Sequence, residues 1–278
     1  MRRRSYLLAA VCAAFVLSCR AADRNPPNTL TPEEKAAGWV LLFDGQTMNG
    51  WDDPRAKTPP GDAWSIEDGC LKANAKPRIT EDLFTRDKYA DFELAFEWRI
   101  SRGGNSGLKY RIQAHRFIPP KPPGTGRERF EASVERAMTG PAEPRPAHGQ
   151  DYVIGFEYQL IDDALNSDAT QSTHTSGALY DMIAPAKHAA HAAGEWNESR
   201  LVVRGNHVEH WMNGVKVVDG DLNSPEVLAG IRSRWGAGSR VYQLLATQPQ
   251  HNCPVSLQNH DADAWFRSIR IRRLTPAP

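Results

Sequence analysis

Nine residues from Phe92 alternate without a break. Phe92, Leu94, Phe96, Trp98 and Ile100 fall on one side, and Glu93, Ala95, Glu97 and Arg99 on the other. A period of two marks a half-buried strand. The same rhythm runs through residues 106–113, where Leu108, Tyr110 and Ile112 oppose Lys109, Arg111 and Gln113. It returns in residues 152–161, where Phe156, Tyr158 and Leu160 oppose Glu157 and Gln159. Shorter apolar or alternating runs predict strands at 39–43, 64–67, 70–73, 177–183, 199–204, 208–212, 215–218 and 264–271. Asp68-Gly69 and Asn213-Gly214 sit between paired runs as two-residue hairpin turns.

Helical signals are few. Thr31-Pro32-Glu33-Glu34 combines an N-cap, a proline at the first helical position and an acid three residues after the cap, and predicts a short helix. Residues 127–138 and 225–235 have helical spacing. About a dozen strands, few helices, no βαβ alternation and no internal repeat predict an all-β, antiparallel β-sandwich. Residues 114–150 interrupt the rhythm with seven prolines and read as a long inserted loop.

Composition narrows the class. The chain has 278 residues, a formal net charge of +1, eight Trp and 41 Gly plus Pro. A near-neutral chain gives no electrostatic case for nucleic acid. The N-terminus has a basic start at Arg2, Arg3 and Arg4, then a short apolar stretch at 7–17. That polarity is of a signal peptide and not of a membrane-spanning helix. Val16-Leu17-Ser18-Cys19 matches a lipobox, in which Cys19 becomes the lipidated first residue; cleavage near Ala21-Ala22 is the alternative. The expected organisation is a lipoprotein-type signal at 1–19, a tether at 20–30 and one domain at 31–275. Export is expected either way, to the periplasm or the outer membrane, with membrane contact only through a lipid at Cys19. Cys70 and Cys253 remain in the mature domain, as one disulfide or as two buried thiols. No Cys/His spacing suits a structural zinc.

An ordered series of short motifs then becomes informative. Leu42-Phe43-Asp44-Gly45 and Gly50-Trp51 are followed by residues 105–111 (Asn-Ser-Gly-Leu-Lys-Tyr-Arg), residues 157–163 (Glu-Tyr-Gln-Leu-Ile-Asp-Asp) and residues 177–181 (Gly-Ala-Leu-Tyr-Asp). Gly194-Glu195-Trp196-Asn197, the run 208–217, Leu257-Gln258-Asn259-His260 and the run 265–271 close the series. In this order, across residues 36–274, the motifs resemble the bacterial 3-keto-disaccharide hydrolase family. Two departures stand out: the proline-rich insertion is long, and Asn259-His260-Asp261 stands where the family often has Asp-His-Gly.

The resemblance implies a concanavalin-like jelly-roll sandwich. It also implies an enzyme acting on glycosides whose sugar is already oxidised at C3. A C3 ketone acidifies the C2 proton, a base removes it, the group on C1 leaves by elimination, and hydration completes a formal hydrolysis. Such a site needs a base near neutral pKa, a cation or donor at the enolate oxygen and a proton source for the leaving oxygen. The expected catalytic set is Glu157, His260, His174, Arg111 and Lys109. Asn105, Gln159, Asp162, Tyr180, Trp211 and Gln258 are expected to bind an oligosaccharide or glycoside. A divalent cation on Glu157, a histidine and Asp162 is an alternative way to polarise the ketone. His210 is a weaker candidate beside Trp211. On the residues alone, Lys109 and Arg111 facing Glu157 read first as a cross-strand ion pair on a solvated face.

Two other functions remain open. A non-catalytic carbohydrate-binding sandwich would need an open aromatic platform. A retaining β-glucanase would need two carboxylates about 5 Å apart. The strand motif that usually supplies them is absent, and Glu93 and Glu97 belong to the outer face of their strand.

Overall fold

The computed structural model describes residues 26–52, 63–76, 81–118, 126–140, 150–260 and 262–275. The signal sequence, Cys19 and the first part of the tether lie outside the described residues.

Among the described residues, thirteen strands form two antiparallel sheets. The larger sheet runs β11 (Val215–Asp221), β10 (His207–Met212), β9 (Asn197–Arg204), β6 (Phe92–Ile100), β13 (Ala264–Arg273), β4 (Cys70–Ala73) and β3 (Trp64–Glu67), with β1 (Val40–Leu41) added along β13. The smaller sheet runs β2 (Trp51–Asp52), β5 (Leu83–Thr85), β12 (Ser256–Leu257), β7 (Asn105–Ile118) and β8 (Gln150–Ile161). The expected concanavalin-like jelly-roll sandwich is the fold observed.

Alternation decides what enters the core. Phe96 and Trp98 on β6, Tyr110 on β7, Phe156 and Tyr158 on β8 and Phe266 on β13 are buried between the sheets. Each large apolar side chain withdrawn in this way stabilises the fold by about 1.5–3 kcal/mol. Polar atoms in this layer are paired. Trp98 donates to Ser199 Oγ at 2.9 Å, and Tyr158 donates its hydroxyl to the Trp211 carbonyl at 3.0 Å. His210 is also interior. Its Nδ1 donates to the Gly177 carbonyl at 2.9 Å and its Nε2 accepts from Tyr110 at 3.0 Å. Burial pulls His210 down to about 4, so it is a neutral core residue and not a site residue.

The local signals hold at their turns and caps. Asp68 and Gly69, and likewise Asn213 and Gly214, take positive φ as their hairpins require. Thr31 caps α1 (Pro32–Ala36), with the reciprocal Glu34 bond present. Residues 26–30, read as tether, are partly fixed: Asn28 Nδ2 donates to the Gly69 carbonyl at 2.8 Å and Asn28 Oδ1 accepts from the Ser268 amide at 2.8 Å.

Three expectations need correction. The segment 177–183 is a turn, joined by isolated bridges from Leu179 to Tyr158 and Ile183, because Gly177 and Asp181 take positive φ. The buried strand expected at 39–43 reduces to β1, with Val40 exposed. The insertion 114–150 is not one loop. Its first residues extend β7, its last joins β8, and α2 (Arg127–Thr139) lies between. Of the two states left open for the cysteines, the observed one is two buried free thiols, Cys70 and Cys253.

Candidate active site

Residues of β7 and β8 that turn away from the core form the floor of a cavity of about 330 Å³ on the outer face of the smaller sheet. Lys109 and Glu157 are direct cross-strand partners, and Asn105 and Gln159 line the same floor. Gly107 lies between Asn105 and Lys109 on this face. Glu157 folds across it so closely that a Cβ at position 107 would stand 2.1 Å from Glu157 Oε1. The glycine leaves room for the carboxylate to lie flat on the sheet. The walls come from α2, α3 (Pro225–Trp235), α4 (Arg240–Tyr242) and the loop carrying Asp168, His174 and Tyr180.

Electrostatics set the floor residues apart from an ordinary surface pair. Lys109 donates to Asp82 Oδ2 at 3.2 Å, with both side chains buried. Burial pulls the ammonium down, but Asp82 and then Glu157 outweigh it and its pKa is raised. Breaking a buried pair of this kind by removing one partner costs about 3–5 kcal/mol. Burial raises the Glu157 carboxyl to about 7, against the opposing pull of Lys109. In the amide orientation that satisfies its neighbours, Gln258 donates to Glu157 Oε1 at 3.2 Å and accepts from Lys109 Nζ at 3.0 Å. Gln159 donates to Asn105 Oδ1 at 3.2 Å, while its own Oε1 is buried without a protein partner. A buried unpaired acceptor in a cavity wall is a place for a ligand hydroxyl.

His174 is fully engaged. Its Nδ1 donates to Asp168 Oδ1 at 2.8 Å and its Nε2 to Asp181 Oδ1 at 2.9 Å. Burial alone would lower its pKa, but bonds to the two carboxylates outweigh it and lift it to about 9. With both nitrogens donating, the ring is an imidazolium and cannot act as the expected base. Tyr180 stacks on it at 4.3 Å and donates to Asp168 Oδ2 at 2.9 Å. Asp181 also receives Arg127 of α2 at 2.5 Å and Arg234 of α3 at 2.8 Å. Against burial, His174 and the two arginines hold it down at about 2. Arg234 in turn donates to the Tyr152 hydroxyl at 2.9 Å. This chain of charges fastens the helical wall to the loop wall. His260 stands at the mouth, lining both the cavity and an open depression beside it.

Eight of the expected site residues therefore converge: Lys109, Glu157, Gln159, Asn105, Gln258, His174, Tyr180 and His260. Three do not. The β7–β8 register shifts between Tyr110 and Ala114, and Arg111 takes φ +51°. This bulge swings Arg111 out of step with Lys109. Its guanidinium is buried against the carbonyls of His251 and Gly205 and the carboxylate of Asp91. Trp211 lies on the larger sheet, bonded to Glu209 at 2.7 Å and covered by Arg200 at 4.1 Å. It is not a sugar platform in this cavity. Asp162 closes the end of β8, accepting from the Gly103 amide at 2.7 Å and the Ala164 amide at 3.1 Å.

Asp162 does not line the cavity floored by Glu157, so the two are not brought together as the alternative cation site would require. Among the described residues, metal-ligand groups come together at His207, Glu209 and Asp219 on the larger sheet, where Lys216 already contacts both acids. Glu93 and Glu97 are held by arginines on that sheet's outer face, as expected.

Asp82, Arg127, Tyr152, Asp168, Asp181 and Arg234 were not foreseen. Asp181 lay in a noted motif, but its role depends on Arg127 and Arg234 from two distant helices as well as on His174. Asp82 precedes a strand of three residues, too short to announce a face.

A buried carboxyl with a pKa of about 7 beside an ammonium suits removal of a proton next to a carbonyl. Comparison with known proteins shows the family. The sequence profile of the 3-keto-alpha-glucoside-1,2-lyase-like domain matches residues 38–272. The chain belongs to this family. It is 29% identical to the 3-keto-disaccharide hydrolase of Bacteroides thetaiotaomicron over 278 residues, covering 95% of this chain and 87% of that protein. Among solved structures it is similar to a protein from Parabacteroides distasonis ATCC 8503 provisionally named a glycosyl hydrolase. That match has a TM-score of 0.67 and 25% identity, and covers 90% of this chain and all of the other. A second such protein from the same organism superposes with a TM-score of 0.55 at 20% identity, covering 85% of this chain and 99% of the other.

Proposed function

We propose that this protein is an exported enzyme that cleaves glycosides carrying a ketone at C3 of the sugar, by elimination and rehydration. The observation that carries the reading is Glu157: a cavity-floor carboxyl raised to about 7, in register with the Lys109 ammonium. A carboxylate with that pKa is half ionised near neutral pH and basic enough to take an acidified proton.

In this reading Glu157 removes the C2 proton, and the C–H electron pair passes into the carbonyl to give an enolate. Lys109 stabilises the oxygen charge. It has three donors, two of which go to Asp82 and Gln258. The enolate pair then returns to form the C1–C2 double bond and expels the oxygen on C1. His260 at the cavity mouth supplies that oxygen with a proton. Water adds to C1 of the enone, a proton returns to C2, and the 3-keto sugar is released. Gln159 Oε1 and the Asn105 amide hold ring hydroxyls. His174, fixed as a cation, holds Tyr180 and the loop wall in place.

Solvent isotope labelling tests the reaction. In deuterated water, elimination and rehydration place deuterium at C2 of the released 3-keto sugar beyond the rate of enzyme-free exchange. Direct hydrolysis leaves C2 unlabelled, and that result sinks the elimination. Glu157→Gln should abolish both release and labelling. Export is tested separately: incorporation of a labelled fatty acid should be lost on Cys19→Ser, and its absence in the parent protein refutes the anchor.

A further inference from the structure

The floor of the cavity is polar, but one end of it is not. Phe130 from α2 meets the ring of Tyr152 edge-on at 5.0 Å, and Tyr152 meets Trp235 of α3 at 6.0 Å. These three rings, from three different elements, line the cavity together. Val241 and Leu245, both buried, continue the same wall. The polar lining comes from β7, β8 and the loop of Asp168 to Tyr180, together with Arg127 and Arg234, which α2 and α3 hold against Asp181. The cavity is thus divided, with hydrogen-bonding groups over the carboxylate and an aromatic and aliphatic surface beyond.

We infer that the group expelled from C1 is apolar and aromatic: the cavity is built for an aryl 3-keto-glycoside, with the sugar over Glu157 and the aryl ring against Phe130 and Trp235. This rests on the proposed reaction and names the substrate class for the same site. The physical argument is one of partners. A second sugar ring at this end would bring several hydroxyls against ring and methyl surfaces, where they lose water and gain few acceptors. An aryl ring loses nothing there and gains edge or offset contacts with three aromatic neighbours. The leaving-group chemistry fits as well. A phenol, with a pKa of about 10 like tyrosine, departs with far less help than a sugar alcohol.

Two probes test this: phenyl 3-keto-glucoside and a 3-keto-disaccharide of two glucose units. Turnover of both is measured with the parent protein, and binding of both with Glu157→Gln, which holds substrate without reacting. We expect the phenyl glycoside to bind the inactive variant at least about tenfold more tightly. Phe130→Ala and Trp235→Ala should each narrow that ratio, chiefly through the phenyl glycoside, with disaccharide binding little changed. A folded variant is confirmed by its circular dichroism. Should both variants lose structure, competition by free phenol against the phenyl glycoside in the parent protein replaces them. Inhibition supports the aromatic end and its absence refutes it. Equal binding of the two probes, with turnover intact, overturns the aryl inference and leaves the reaction standing. Tighter phenyl binding without turnover of either probe overturns the reaction and leaves the aromatic site standing.

Discussion

Gly107 offers the sharpest separation of site from fold. A Cβ at this position would stand 2.1 Å from Glu157 Oε1, 2.9 Å from its Cδ and 3.0 Å from its Cγ. Ordinary carbon contacts need roughly 3.5 Å. In Gly107→Ala the carboxylate must therefore retreat by on the order of 1 Å, and it can, because its clashing end is the tip of a flexible side chain. A misplacement of about 1 Å at a reacting group costs about 100-fold in rate. Stability should move the other way. Alanine in a strand interior is favoured over glycine by about 0.5–1 kcal/mol, which offsets the displaced side chain. The expected outcome is about a 100-fold loss of kcat on a 3-keto-glycoside with an almost unchanged unfolding midpoint. The reasoning fails if Gly107→Ala keeps kcat within about threefold of the parent, or if its unfolding midpoint falls markedly.

Further tests follow from the charges. The Glu157 carboxyl titrates at about 7 in the folded protein against an ordinary 4.5, so its stabilising share is present below 4.5 and lost as pH climbs through 7. Glu157→Gln should therefore gain in melting temperature relative to the parent as pH rises from 5 to 8; a constant difference refutes the shift. The parent's kcat/KM should rise about tenfold per pH unit below that pKa and level off above it, as for a base. His174 is raised to about 9 from 6.5, so its contribution is complete below 6.5 and lost as pH passes 9. His174→Gln should cost about 2 kcal/mol at pH 6 and flatten the decline between 6.5 and 9, measured by denaturant titration. Arg111→Met should lower the melting temperature while leaving kcat/KM within a few-fold, whereas Lys109→Met should abolish turnover. Equal effects on turnover would return Arg111 to the site. Two thiols should titrate in the denatured, unreduced mature domain, and none if Cys70 and Cys253 are bridged.

The sandwich was legible because its information is local. Alternation along 92–100 and 152–161 states which residues face inward, and Asp68-Gly69 and Asn213-Gly214 state where the chain turns. Lys109 and Glu157 were legible for the same reason: each opposes a run of core residues, and the two runs are sheet neighbours. Arg111 marks where local reading ends. It shares the parity of Lys109, but parity carries across a strand only while the register holds, and a bulge begins at Tyr110. Nothing in Lys-Tyr-Arg-Ile-Gln announces that bulge, and the carbonyls that hold the Arg111 guanidinium, of Gly205 and His251, come from distant loops. Neither His210 nor Trp211 reached the site. Alternation says that one of them is inside, and only the partners, Tyr110 and Gly177 for His210, decide which. His174 in a polar loop reads as surface until Asp168 and Asp181 close on its two nitrogens.

The helical wall has a further consequence for how the site is held. The floor needs no help: Lys109, Glu157, Gln159 and Asn105 sit on paired strands whose backbone is fixed by the sheet. The wall has no such ladder. What fastens α2 and α3 to the loop carrying Tyr180 is one carboxylate, Asp181, which takes Arg127, Arg234 and His174 together. Asp181 itself takes φ +66°, a conformation an L residue adopts at some cost and keeps only when its surroundings demand it. Four charged groups drawn from α2, α3 and a turn therefore share a single junction. Loss of that junction would leave the base and the ammonium where they are and remove the surfaces that shut water out. A neutral Asn at 181 should accordingly weaken substrate binding far more than it slows the bound substrate, raising KM with kcat largely retained. The opposite split, kcat lost at constant KM, would place Asp181 in the chemistry and not in the wall.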